Sequence, residues 1–152
     1  MAILDLLGSP FSVGDCFMQP SEQGPCKVGL VTDFSIGADG QSYIKTSGNF
    51  RQRLCPKNLL SLSALGVPTE AVEREEVFPD RPYEYNRERL CDALGREARA
   101  GDEVIFCRTR HSVAKGVIRH FSSGKVVIHP EYARSNCVLT RSSGQFVICH
   151  FA

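Results

Sequence analysis

The sequence predicts a mainly β protein, two small five-stranded barrels joined by a linker that contains one helix. Three observations lead there: a signature that occurs twice, short strand-like runs punctuated by glycine turns, and a proline-bearing acidic stretch between the two occurrences. Gly29-Leu30-Val31-Thr32-Asp33-Phe34-Ser35 returns as Gly116-Val117-Ile118-Arg119-His120-Phe121-Ser122, each fifteen residues beyond a Gly-Asp pair, Gly14-Asp15 or Gly101-Asp102. The match continues from Gly40-Gln41-Ser42-Tyr43-Ile44 to Gly124-Lys125-Val126-Val127-Ile128, with three more residues in the intervening turn of the first occurrence. Fixed spacing, with a length change only at a turn, is the mark of a duplicated fold. The units predicted are a first barrel over residues 1–66, a linker over 67–99 and a second barrel over 100–152.

In the first unit, Val13 to Met18 reads as a loop entering a strand and Cys26 to Phe34 as a second strand. Gly37-Ala38-Asp39-Gly40 reads as a hairpin turn, because glycine reaches the positive φ angles such turns need. Strands over Gln41 to Thr46 and Gln52 to Cys55, a single helical turn at Pro56-Lys57-Asn58-Leu59 and a closing strand Leu60-Ser61-Leu62 complete it. In the second unit the predicted strands are Glu103 to Thr109, Val113 to Phe121, Lys125 to His129, Asn136 to Arg141 and Gln145 to His150.

Between them, Gly66-Val67-Pro68 stops the first unit and Pro79-Asp80-Arg81-Pro82 holds the chain extended, because proline fixes its own φ and disfavours helix at the residue before it. Asn86 is a helix cap, and Leu90, Leu94 and Ala98 recur every four residues, which predicts a helix over 86–98 ended by Gly101. Such a narrow apolar stripe docks a helix between or beneath the barrels; presentation to a partner is the alternative. Units of about 50 residues bury a small share of their surface, so each gains stability by packing on the other or on a partner.

The seven cysteines, Cys16, Cys26, Cys55, Cys91, Cys107, Cys137 and Cys149, are odd in number, and no Cys-x-x-Cys pair is present. Structural zinc sites need ligands delivered in close pairs, so reduced, mostly buried thiols are expected and no metal or cofactor. The four histidines lack ligand spacing, and Cys149-His150 would point to opposite faces of a strand. The apolar start Ile3-Leu4-Asp5-Leu6-Leu7 is too short and too acidic for a signal sequence, so a cytoplasmic location and no membrane contact are expected.

The runs Gly14-Asp15 followed by Gly24-Pro25-Cys26-Lys27-Val28-Gly29-Leu30-Val31, and Gly101-Asp102-Glu103-Val104 followed by Ala114-Lys115-Gly116-Val117-Ile118, resemble the opening of KOW, Tudor and related SH3-like barrels. The resemblance covers roughly residues 13–62 and 100–150. It implies tandem SH3-like barrels of a group that binds RNA, DNA, ribosomal or polymerase surfaces, or methylated peptides. Asp33-Phe34-Ser35-Ile36-Gly37-Ala38 is similar to an element of PilZ domains. Its glycine comes one position early, however, and the upstream arginine pair that would hold phosphates bidentately is absent, since Arg51 is the first arginine.

Function is read from charge. The net charge is +1, yet residues 1–66 balance five basic against five acidic side chains, residues 67–99 carry six against nine, and residues 100–152 seven against three. Arg108, Arg110, Lys115, Arg119, Lys125, Arg134 and Arg141 are the candidate nucleic-acid-binding residues, with ordinary solvated surface as the alternative. Tyr43 and Phe50, flanked by Lys45 and Arg51, are candidates for stacking an unpaired base. A methyl-lysine cage needs several converging aromatic faces. There is no tryptophan, and the equivalent Phe34 and Phe121 read as shared core. No phosphate loop, nucleophile elbow, zinc-protease motif or paired catalytic carboxylates occur, so no enzyme is expected. The leading expectation is a binding module for RNA or DNA. The rival is a protein-interaction adaptor or inhibitor, including one encoded by a phage or plasmid, acting on a larger nucleic-acid-handling complex.

Overall fold

Two buried aspartates organise the start of each repeat. In the computed structural model, which describes residues 2–46, 50, 53–69, 90–109, 112–134 and 137–152, Asp5 Oδ1 accepts the N–H groups of Leu7 (2.9 Å) and Ser9 (2.8 Å) and Oδ2 that of Ser61 (2.9 Å). Asp92 does the same 87 positions later: Oδ1 accepts from Leu94 (3.0 Å) and Arg96 (2.9 Å), and Oδ2 from Ile148 (3.0 Å). The loop turns at Gly8 and Gly95, whose φ values of 84° and 80° suit glycine. Isolated bridges, Leu4 with Pro10 and Cys91 with Glu97, close the two loops.

This corrects the helix predicted over 86–98. Residues 86–89 lie outside the described residues, and 90–98 form a bridge and turn instead. The four-residue recurrence has a different cause: Leu90 and Ala98 face each other across the mouth of the loop, where Ala98 N–H donates to the Leu90 carbonyl (2.9 Å), and Leu94 sits at the turn. Asp92 supplies the turn with a better acceptor than a helix would, because its carboxylate takes two N–H groups two and four residues on.

The fold is mainly β. The first sheet has the order β3-β2-β1-β4, with β1 Cys16–Gln19, β2 Lys27–Ile36, β3 Ser42–Thr46 and β4 Leu60–Ser61. The predicted strand at Gln52 to Cys55 is reduced, among its described residues, to one bridge from Leu54 to Ile44. A single 3-10 turn, Pro56–Asn58, precedes β4. The second sheet has the order β8-β7-β6-β5-β9, with β5 Glu103–Thr109, β6 Ser112–Ser122, β7 Lys125–Pro130, β8 Leu139–Arg141 and β9 Phe146–His150. All pairings are antiparallel.

The register repeats across β1–β2 and β5–β6, whereas β3 and β7 are offset by two residues from the sequence match, Thr46 and not Ile44 standing in the place of Ile128. Phe17 faces Gly29 across β1–β2, and Val104 faces Gly116 across β5–β6. An irregularity falls between Val31 and Asp33 in one copy and between Ile118 and His120 in the other. A bulge at the same place in both copies re-aims the same side chains, Thr32 and Arg119.

Strand alternation splits the buried residues three ways. Phe17, Val31, Ile44, Leu54 and Leu59 cluster inside the first copy, while Val104, Phe106, Ile118, Ile128, Phe146 and Ile148 cluster inside the second. The opposite faces of the same strands meet in a third cluster, with Met18, Leu60 and Leu62 from the first copy and their equivalents Ile105, Val147 and Cys149 from the second. Equivalent residues meeting each other is the pattern of a self-complementary interface. At about 1.5–3 kcal/mol for each fully buried large apolar side chain, this shared cluster is a main source of stability for both halves. Cys26 N–H donates to the Gly144 carbonyl (2.7 Å) at its border.

Candidate nucleic-acid interface

The second copy carries its cations in two groups. Arg108, near the end of β5, is exposed, and its guanidinium lies 4.4 Å from the ring centroid of exposed Tyr132 in the β7–β8 loop. Arg134 is exposed on the same loop, and the Lys115 carbonyl accepts the Glu131 N–H (2.9 Å), which brings Lys115 beside it. Arg119 at the bulge and Lys125 at the start of β7 flank the β6–β7 hairpin, together with exposed His120 and Phe121. At about 3.3 Å per residue, Arg119 is about 13 Å along β6 from Lys115.

Arg141 has a structural position. Its Nε donates to the Cys107 carbonyl (3.0 Å), its Nη1 to the Thr140 carbonyl (2.8 Å), and the group covers the Phe106 ring at 5.3 Å. Arg110 lies outside the described residues. Of the three acidic residues in 100–152, Asp102 is fully buried and engaged by the N–H groups of Arg99 (2.8 Å) and Ala152 (2.9 Å). Within residues 100–152, Glu103 and Glu131 are the acidic side chains left at the surface, with Glu97 half-buried in the loop that precedes them. Phe121 is 39% exposed whereas its equivalent Phe34 packs against the first core, so the shared aromatic position is core in one copy alone.

In the first copy, Tyr43 and Phe50 line one open cavity of about 300 Å³ with Ile36, Lys45, Arg53 and Leu54. β3 delivers Tyr43 and Lys45. The β2–β3 turn positions the ring, because the Tyr43 hydroxyl donates to Asp39 Oδ2 (2.5 Å) and Arg53 lies over the ring at 5.2 Å. That bond, with the Gln41 N–H, holds the Asp39 carboxyl below its usual range and pushes the Tyr43 phenol up. A Cβ at Gly37 would stand 2.6 Å from the Tyr43 ring and 3.0 Å from Arg53, so only glycine leaves room for this packing. Phe50 rests against Phe17 with centroids 5.5 Å apart, and the Lys27 ammonium lies 5.9 Å from its centroid.

Tyr43, Phe50 and Lys45 are visible in the sequence as aromatics flanked by cations. Arg53, Gly37 and Asp39 are not, although the three extra turn residues that distinguish the first copy fall at this cavity. Four of the seven cysteines, Cys16, Cys26, Cys107 and Cys149, are buried free thiols, and Cys137 is exposed. Among the described residues no three of His, Cys, Asp and Glu converge as a metal site, and no helix is long and apolar enough to cross a membrane.

Residues 90–149 match a family described as a domain of unknown function, DUF7205. The matched span runs from the Leu90 loop to β9, and so coincides with the second copy, Asp92 loop included. No curated protein matches the chain.

Proposed function

We propose that the protein is a non-enzymatic binding module of two SH3-like barrels that contacts RNA or DNA through the exposed cations of its second copy. The observation that carries this reading is the charge imbalance there: Arg108, Lys115, Arg119, Lys125 and Arg134 are all exposed, while Asp102 is withdrawn into the fold. The Arg108–Tyr132 pair adds a guanidinium plane and a ring at the surface, both of which stack on unpaired bases. The barrel reading is supported by the strand order, in which the last strand of each copy lies beside the first.

Arg108→Glu with Arg119→Glu tests the proposal by fluorescence anisotropy of labelled single-stranded RNA and DNA. Removing two phosphate contacts lowers the steepness of log K against log salt by about 1.4 on a single strand. Unchanged affinity and salt dependence contradict the proposal. A second reading, a protein-interaction adaptor or inhibitor, has the exposed Leu4, Leu7, Leu30 and Ile36 of the first copy in its favour. A defined protein complex that survives nuclease and high salt distinguishes it.

A further inference from the structure

We propose that the cavity of the first copy is a subsite for one unpaired nucleotide, its base against the Tyr43 and Phe50 rings and its phosphate at Lys45 and Arg53. The inference rests on the nucleic-acid reading and gives the first copy a role in it.

The lining selects a flat, anionic ligand. Two aromatic rings and the apolar side chains of Ile36 and Leu54 supply the surface that a base stacks on, and Lys45 and Arg53 stand at the same walls. Lys27 adds a third cation at the Phe50 ring. A methylated ammonium, the other ligand that aromatic rings recognise, would meet the like charges of Arg53 and Lys27 at these rings. Of the negative groups nearby, Asp39 is occupied by the Tyr43 hydroxyl and the Gln41 N–H (3.1 Å), and Asp33, the cross-strand partner of Lys45, accepts the Phe34 N–H (2.8 Å). About 300 Å³ lies at the lower end of the range for small-ligand pockets, roughly 300–1,000 Å³, which suits a single nucleotide.

The site is also built before any ligand arrives. Asp39 and Arg53 hold Tyr43, Phe17 props Phe50, and Gly37 leaves the space these groups fill. The second copy differs here: Tyr43 pairs with Ser35, whereas the equivalent Ser122 pairs with Lys125, so a lysine stands where the ring does, and the β6–β7 turn is three residues shorter. The duplication has thus diverged at this turn. A base held in a duplex has its faces covered by neighbours, so the subsite takes a single strand or a flipped-out base.

Adenosine monophosphate, adenosine and ribose phosphate titrated separately into isotope-labelled full-length protein test this by amide chemical shifts. The expected result is saturable shifts with adenosine monophosphate at Ile36, Gly37, Tyr43 to Thr46 and Arg53, weaker binding of the two fragments, and a loss of at least about fivefold with Tyr43→Leu or Arg53→Gln. Unmoved amides in the second copy report that both variants remain folded. Shifts confined to other residues, no shifts at all, or equal binding by both variants overturn the proposal. Arg108→Glu with Arg119→Glu separates the two claims. Mononucleotide shifts retained in that variant support the subsite whatever becomes of polynucleotide binding, and polynucleotide binding without mononucleotide shifts at the cavity overturns it.

Discussion

Asp92→Ala is the most informative single change, because it removes a carboxylate that accepts five hydrogen bonds. Three come from the backbone N–H groups of Leu94, Arg96 and Ile148. Two come from Arg96, through Nε (3.0 Å) and Nη2 (2.8 Å). The Arg96 side chain is 5% exposed and also donates to the carbonyls of Ile148 (2.6 Å) and Pro68, tying the end of the first copy to the second. Removing one partner of a buried ion pair costs about 3–5 kcal/mol. That is a large share of the roughly 5–15 kcal/mol by which a domain is stable.

The first copy supplies an internal control. Asp5 holds the same backbone groups but faces Ser9 where Asp92 faces Arg96, so Asp5→Ala loses three hydrogen bonds from backbone N–H groups without stranding a charged partner, and costs about 2–3 kcal/mol. Urea denaturation followed by far-ultraviolet circular dichroism reads both variants. Adding Arg96→Ser to Asp92→Ala removes the stranded charge, and the pair is coupled by at least about 1 kcal/mol. Equal costs for the two alanine variants, or strict additivity of Asp92→Ala and Arg96→Ser, refutes the reasoning.

Gly116→Ala destabilises more than Gly29→Ala in the same assay, by about 1–3 kcal/mol against less. The added carbon meets the His129 carbonyl at 2.7 Å and Ile128 at 2.6 Å in one case, but the edge of the Phe17 ring at 2.9 Å in the other. Burial pushes the Cys107 thiol up from 9.0 to about 11, so the thiol stays neutral in the folded protein while the unfolded chain ionises. The associated stability is complete below pH 9 and is lost as pH rises toward 11; urea midpoints fall across that window, and less steeply in Cys107→Ala.

The strands were legible in the sequence because glycine turns and apolar runs are local signals. Glu103–Thr109 is predicted to the residue, and the first-copy hairpin to within two. The Leu90–Ala98 loop was not, because its apolar recurrence at four residues is the spacing of a helix, and only the distant Ile148 N–H reveals why Asp92 holds a turn. The repeat itself extends further than its obvious signature: Asp5-x-x-Gly8 and Asp92-x-x-Gly95 stand at the same spacing, a match too short to read without the hydrogen bonds that give it meaning. Lys115 and Arg119, both visible as cations of one strand, are divided by distance and by the bulge between Ile118 and His120. Cavities close through loops, and Arg53 reaches Tyr43 only in the folded chain.

The affinity of the unmodified protein for a single-stranded oligonucleotide, measured across a range of salt concentrations, bears most directly on the central claim. Contacts from Arg108, Lys115, Arg119, Lys125 and Arg134 predict log K falling linearly with log salt at a slope of about −3.5. A flat response, or no measurable binding at low salt, contradicts it.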